Sequence, residues 1–591
     1  MLELIDVTLA TTPARDDAWL LHAISARLPP GHLCAIVGPS GCGKSTLLKV
    51  IAGVRVPEEG TILWEGRNLE ERDLEPHEIG YVPQFSIAYD LLTVQESVET
   101  ALRLRVGGQT ADERRERATG ILVSVGMSDI ADRRVGVLSG GQKRRLALAL
   151  ELVSSPTLLL CDEVTSGLDP LAEDEIVRLL RILATPDAGG APPEAGAVPR
   201  TVLSVTHSLR HLALHDSVAV LFQGHLIFHG PPAVLPFYFG IEHADDLFPT
   251  LTKRTAEEWH GSWQKHRAGY EASLHDDDQP VARAEDIPVP VESGDKPAAP
   301  SPPAAPEFQR PQWTEQFVTL LTRRWRLLLR DRGQCALQAA LLFGFPCLVV
   351  IFAWDGLPQI QNLTGTGNAL QQLMEKAADA LHSSRTAGLV SGLVMFQVIL
   401  LTLVGSNNGA REIAGERTVF EKEKFAGVRV TGYIASKAAF LAVLVLAQSL
   451  WMAVFVNVIC RFPGDLVTQA GLLVLVNGAM TAICLGISSI TKSAEHASLI
   501  CVYLVGFQLP LSGAVLALPK FLGWITQPVI AAYWGWSGYL QTMRDTRFYD
   551  VVQSVSQTEL SPLGLCGWVL VFHILAGLLL AYLGSRHSRW E

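Results

Sequence analysis

Beyond Arg332 the chain holds seven uncharged windows of 22 to 26 residues, at 333–354, 386–410, 438–460, 466–491, 496–519, 521–543 and 560–585. Each is long enough to cross a bilayer as a helix. The sixth differs, because Pro528 and the cluster "YWGWSGY" (533–539) interrupt it with residues typical of a membrane interface. It reads as a re-entrant or interfacial segment, 521–543, rather than a span. Six spans then put both ends of the membrane region in the cytosol. The charge bias agrees: the segments this topology places inside (313–332, 411–437, 492–495, 586–591) carry 14 Lys and Arg, against 6 in the outside loops. A seventh span would place Arg586 and Arg589 outside.

The rest of the chain is organised differently. Over 1–240, short apolar runs such as "LCAIV", "TLLLC" and "TVLSVT" alternate with helical patterns, the mark of a soluble α/β domain. An extension and a Pro/Ala-rich acidic linker follow over 241–312. That composition cannot bury a core and predicts a disordered or partly extended segment. In 313–332, Trp313, Phe317, Leu320, Leu321, Leu327 and Leu328 make an apolar face set among five arginines. This predicts an amphipathic helix lying on the inner membrane surface.

At 591 residues the chain is too long for one core. Its 48 Lys+Arg against 59 Asp+Glu, a net charge of −11, argue against nucleic acid as a partner. The opening "MLELIDVTLATT" has an acidic third residue and lacks the basic start of a cleavable signal, so the first domain is expected in the cytosol. Nine scattered cysteines show no metal-ligand spacing and are expected as reduced, mostly buried thiols.

Within the first domain, "GPSGCGKST" after the strand signal "LCAIV" fits the phosphate-loop pattern G-x-x-x-x-G-K-[ST]. Its glycines let backbone N–H groups turn inward around phosphate. Lys44 can reach the outer phosphates, Ser45 can ligate Mg²⁺, and the helix opening at "KSTLLKVIAG" favours anions at its start. Further along, "TLLLCDE" ends in Asp162 and Glu163, and "SVTHS" sets His207 after another apolar strand. Phosphoryl transfer needs this pair: Asp162 to hold the Mg²⁺ shell, and Glu163 to orient or deprotonate the attacking water.

Together with "LSGGQKRR" from Leu138, this set resembles the nucleotide-binding domain of an ABC transporter. The resemblance implies that Gly38, Pro39, Ser40, Gly41, Cys42, Gly43, Lys44, Ser45 and Thr46 bind nucleotide. It implies an Mg²⁺ site at Ser45, Gln84 and Asp162, and catalytic roles for Glu163, for Gln84 in "YVPQ", and for the switch histidine His207. Ser139, Gly140, Gly141 and Gln142 would cap the nucleotide held by a second subunit, and Asp169 closes the loop "SGLD". Val164 stands where the family usually has proline, and Cys161 replaces an aliphatic residue. The family's adenine-stacking aromatic is missing from "TTPA" (11–14), and Trp19 is displaced.

An ATPase followed by six spans is the order of the G-subfamily half-transporters, the white, sterol and multidrug-resistance group. "ALALELV", with Glu151, and the stretch "REIAGERTVFEKEKFAGVRVTGY" resemble that group too. There Glu416, Arg417, Glu421 and Glu423 would sit against the ATPase. The expected fold is thus an α/β P-loop NTPase domain followed by an all-α six-span domain of the type-2 ABC exporter kind. The outside loops hold no cysteine, and "NLT" at Asn362 is a glycosylation sequon on a long first outside loop.

The function implied is that of an ATP-hydrolysing half-transporter, using ATP and Mg²⁺ and pairing with a second copy of itself or a related chain. It would export a hydrophobic or amphipathic compound across the plasma membrane of a prokaryote. The alternative is a membrane-anchored ATPase that transmits force or signal and moves no substrate. Within the family, spans two and five line a central cavity, which here would involve Phe396, Gln397, Asn407, Asn408, Phe507 and Gln508. Amides inside spans also serve as helix-to-helix contacts.

Overall fold

The structure is a computed structural model, and it describes residues 1–10, 19–84, 87–185, 199–272, 308–354, 357, 376–514, 518–545, 549, 552–553 and 558–588. The "TTPA" stretch, most of the acidic linker, Asn362 and the start of the long outside loop lie outside the described residues. Two compact units divide the chain: Met1–Gln312 with Phe425–Gly427 and 590–591, and Trp313–Lys424 with Val428–Arg589.

A ten-stranded sheet organises the first unit. Its strands are β1 (Leu2–Ala10), β2 (Trp19–Leu28), β3 (Leu33–Val37), β4 (Glu59–Trp64), β5 (Arg67–Asn68), β6 (Ile79–Val82), β7 (Leu158–Asp162), β8 (Thr201–Val205), β9 (Ser217–Phe222) and β10 (His225–Gly230). The spatial order is β5-β4-β1-β2-β10-β9-β3-β8-β7-β6. From β9 through β3, β8 and β7 to β6 the neighbours run parallel. Every residue of these five strands is buried, which explains their unbroken apolar sequence: helices cover both faces. The register pairs Val82 with Cys161, Asp162 with Val205, and Val205 with Ile36, so the ends of β6, β7, β8 and β3 finish side by side. The helices are α1 (Lys44–Ile51), α2 (Val94–Arg105), α3 (Ala111–Ser124), α4 (Gly140–Leu152), α5 (Pro170–Ala184) and α6 (Ala256–Ala272), beside shorter turns. Glu151, near the end of α4, is buried and paired with Arg105 of α2, whose guanidinium also donates to the Leu150 carbonyl.

The second unit is helical: α7 (Trp313–Arg330), α8 (Arg332–Ala353), α9 (Lys376–Gly409), α10 (Arg417–Phe425), α11 (Val430–Cys460), α12 (Leu466–Ile490), α13 (Ala494–Leu511), α14 (Lys520–Thr526), α15 (Ala531–Gln541) and α16 (Leu563–His587). Among the described residues, six helices are long and apolar enough to cross a membrane. Four of them meet in a knot of side-chain amides. Asn408 (α9) donates to Gln448 (α11) at 2.8 Å, Gln448 donates to Gln338 (α8) at 2.8 Å, and Asn477 (α12) donates to Ser449 at 3.0 Å. An amide left unpaired among apolar helices is costly, so the knot fixes which helices are neighbours.

Three expectations change here. The segment 521–543 is indeed broken, by a 3₁₀ turn at Gln527–Val529 that carries Pro528. Its aromatic cluster packs inward: Tyr533, Trp534, Trp536 and Tyr539 are all buried in the unit's core, while Phe521 and Trp524 are exposed rings. Among the amides placed on the substrate path, Asn408 belongs to the knot, and Gln508 accepts from the Ala532 N–H at the start of α15. Gln397 is fully buried and its amide has no hydrogen-bond partner among the described residues.

The third change concerns charge. Arg323 of α7 is buried and Arg324 half-buried rather than spread on a surface, with Arg323 bonded to Glu423 and Arg324 gripping Glu412 through two hydrogen bonds of 2.5 and 2.8 Å. Lys437 bridges Glu412 (3.0 Å) and Glu416 (2.6 Å), and Arg417 pairs with Glu421 at 2.8 Å. The charge-dense stretch 411–425 therefore spends these side chains inside its own unit.

Candidate active site

The phosphate loop joins the end of β3 to α1, and two glycines explain its shape. A Cβ on Gly38 would fall 2.2 Å from the Leu221 carbonyl oxygen, so only glycine allows the loop this close to β9. Gly43 caps α1 with φ +101, a backbone that other residues rarely adopt. Lys44 is buried and its ammonium donates to the carbonyls of Gly38 (2.9 Å) and Pro39 (2.8 Å), which hold it within the loop. Cys42 packs beside it, its thiol pushed up by burial, with Lys44 opposing the shift.

At the end of β7, Asp162 accepts from the Ser45 hydroxyl at 2.7 Å and from the Tyr81 hydroxyl at 3.2 Å. Burial raises the Asp162 pKa, and these two donors pull the other way. The next residue, Glu163, has φ +49, an uncommon left-handed turn for a non-glycine residue that costs about 1 kcal/mol. The turn brings its carboxylate between two donors. Gln84, just past β6, donates to Oε2 at 2.6 Å, and His207, just past β8, donates from Nε2 to Oε1 at 2.8 Å. The parallel register of β6, β7 and β8 is what gathers these three residues. Val164 and Cys161 are buried and apolar in their surroundings, with no part in this arrangement.

Ser139–Gln142 opens α4. Ser139 caps α4, its Oγ accepting from the Gln142 N–H (3.3 Å), while the Gln142 side chain accepts from the Ser139 N–H (3.1 Å). Ser139 and Gly140 are exposed, and no hydrogen bond joins this stretch to the phosphate loop among the described residues. Asp169 caps α5, accepting from the N–H groups of Leu171 and Ala172.

Two residues escaped the sequence reading. Tyr81 sits in an apolar strand, and only the β6–β7 pairing turns its hydroxyl toward Asp162. Arg144, six residues after Leu138, donates to the Pro83 carbonyl at 3.5 Å. Desolvation lowers its pKa and the nearby Glu163 charge raises it. Its signal was the doubled arginine of "LSGGQKRR", which spacing alone does not orient.

The donor set tests whether Mg²⁺ fits. Ser45 offers a hydroxyl, Asp162 a carboxylate and Gln84 an amide oxygen, all hard oxygen ligands of the kind Mg²⁺ takes alongside phosphate and water. Ser45 and Asp162 are already within 2.7 Å of one another, so the two fit a shared ion.

Comparison with known proteins gives two family matches: the ABC transporter family over residues 21–166 and the ABC-2 type transporter family over 315–542. An ABC transporter ATP-binding/permease protein of Mycobacterium tuberculosis is 31% identical over 559 residues, covering 91% of this chain. The chain spans 57% of that relative's length. ABC transporter G family member 7 of Arabidopsis thaliana is 32% identical over 250 residues, or 40% of this chain and 32% of the plant protein. A solved dimeric ATP-binding cassette with ADP and Pi aligns at TM-score 0.35 and 28% identity, over 39% of this chain and 99% of the cassette.

Proposed function

Because this chain belongs to the ABC transporter superfamily, with the G-like order of ATPase before membrane unit, we propose that it is an ATP-hydrolysing half-transporter. On this reading two copies form the working unit and export a hydrophobic or amphipathic compound, a lipid or a drug-like molecule, across the plasma membrane. Both chain ends lie in the cytosol. The observation that carries the proposal is Glu163, suspended between Gln84 and His207 one residue from the Asp162–Ser45 pair.

The chemistry follows from that placement. The loop N–H groups and Lys44 hold the phosphates, the ammonium exchanging its bonds to the Gly38 and Pro39 carbonyls for phosphate oxygens. Mg²⁺, when bound, offsets the charge of the outer phosphates. Ser45 and Asp162 would hold it, with the Gln84 amide oxygen as a further ligand. Glu163 orients a water and takes its proton, and His207, donating to Glu163, fixes the carboxylate's direction. Ser139 and Gly140, exposed and without a hydrogen bond to the chain's own phosphate loop among the described residues, suit a nucleotide held by a second chain.

Mixed dimers test the shared site. One tagged chain carries Lys44→Ala and the other Ser139→Arg, so each homodimer has two damaged sites and the mixed dimer keeps one intact. Purified mixed dimers should trap ATP where neither parent does, and equal trapping would overturn the dimeric reading. Sealed vesicles test transport: ATP-dependent movement of lipid or drug probes is expected, and brisk ATP turnover without any movement would favour the force- or signal-transmitting alternative.

A further inference from the structure

We propose that Cys484 and Cys501 form a thiol–disulfide modification site inside the membrane unit, and that its oxidation fastens α13 to α12. Cys484 lies on α12 and Cys501 on α13, and both are fully buried. They share a small cluster with Ala410, Met480 and Val505. Within that cluster each cysteine side chain is the other's interacting neighbour, and the Ser406 side chain of α9 neighbours Cys484. Other cysteines use their thiols differently: Cys34, Cys335 and Cys566 donate to backbone carbonyls. Two cysteines buried in one small cluster across a helix interface are the arrangement from which a disulfide forms with least backbone movement.

The helix they would fasten is thinly attached. Ala497, Cys501, Val505 and Gln508 bury one narrow face of α13. Its other sides expose Leu499, Ile500, Val502, Tyr503 and Phe507. Only 22% of the apolar window of α13 is buried, against 67% for α12. A covalent bond at this buried stripe would fix α13 to α12.

Apolar burial excludes charged oxidants, so the co-reactant is a lipid-soluble quinone. Both S–H bonds break and one S–S bond forms. The two electrons and two protons pass to the quinone, which becomes a hydroquinone. The attacking species is a thiolate, formed as one of the two thiols gives up its proton. A slowed ATP-driven cycle is the consequence if α13 shifts during turnover, and this consequence rests on the transport reading above, whereas the disulfide does not.

The test uses the full chain in phospholipid nanodiscs, treated with decylubiquinone, quenched with an alkylating reagent and mapped by mass spectrometry. A linked Cys484–Cys501 peptide is expected, with ATP turnover falling at least about five-fold and recovering with dithiothreitol. Cys484→Ser and Cys501→Ala should hold their turnover under the same treatment. Both cysteines remaining reduced in excess quinone would overturn the site. An equal fall in the two variants would overturn its role, and so would a disulfide that leaves turnover unchanged. Absence of ATP turnover before treatment would count against the transport reading, while the peptide map would still decide the disulfide.

Discussion

At the ends of β6, β7 and β8, Asp162 and Glu163 are held by a serine, a tyrosine, a glutamine and a histidine. Around α10 in the other unit, Glu412, Glu416, Glu421 and Glu423 are each held by at least one arginine or lysine. No lysine or arginine makes an ion pair with Asp162 or Glu163 among the described residues. The difference separates a charge kept for use from a charge spent on structure. Neutral donors orient a carboxylate and leave its charge available to a metal or a proton. A buried cation neutralises it in place, and the pair then resists rearrangement because either member alone would be stranded away from water.

The largest effect should come from breaking the spent kind. Arg324→Ala leaves Glu412 buried with Lys437 alone and should cost about 3–5 kcal/mol of stability, read as a lower melting temperature of the purified chain. Glu163→Gln should leave melting almost unchanged, since its partners are neutral donors. A comparable loss of stability in both variants would erase the distinction.

Next comes the kept kind. Glu163→Gln should retain ATP binding and lower turnover by about 100-fold, measured as phosphate release beside nucleotide retention. Near-normal hydrolysis would move Glu163 into the structural class. Reversing Glu421 and Glu423 to arginine is not a clean probe of communication with the ATPase. It would set Arg417 and Arg323 against new cations within the membrane unit.

A third prediction concerns acid. Burial depresses His215 to about 4 and His229 to about 3, from an ordinary value of 6.5. Below pH 6.5 the unfolded chain takes protons that the folded ATPase unit refuses, so folding stability falls as pH drops from 6.5 toward 4. Each histidine contributes about a tenfold change in the unfolding constant per pH unit in that window. Melting followed from pH 7 to 5 should show the decline, and His215→Leu should make it shallower. A flat profile would mean these histidines take up protons in the folded chain.

The smallest effect belongs to the signature stretch. Ser139→Ala removes the cap of α4 and should cost about 1 kcal/mol, while Ser139→Arg keeps the chain folded but blocks any partner nucleotide. A large melting loss in either variant would make Ser139 structural first.

The sequence by itself determined what local chemistry can state. Gly38, Gly43 and Lys44 announce a phosphate loop because only glycines permit its backbone. The uncharged windows announce membrane helices because lipid offers the backbone no partner. Pro528 announced a break because it removes a helical hydrogen bond. The tertiary structure alone decided partners. Tyr81 meets Asp162 through strand register, Arg323 and Arg324 turn inward because Glu423 and Glu412 wait there, and "YWGWSGY" is core because α15 is enclosed by other helices. A residue's type fixes what it can bond, but which group it bonds depends on segments scores or hundreds of positions away, and periodicity within one segment carries no record of them.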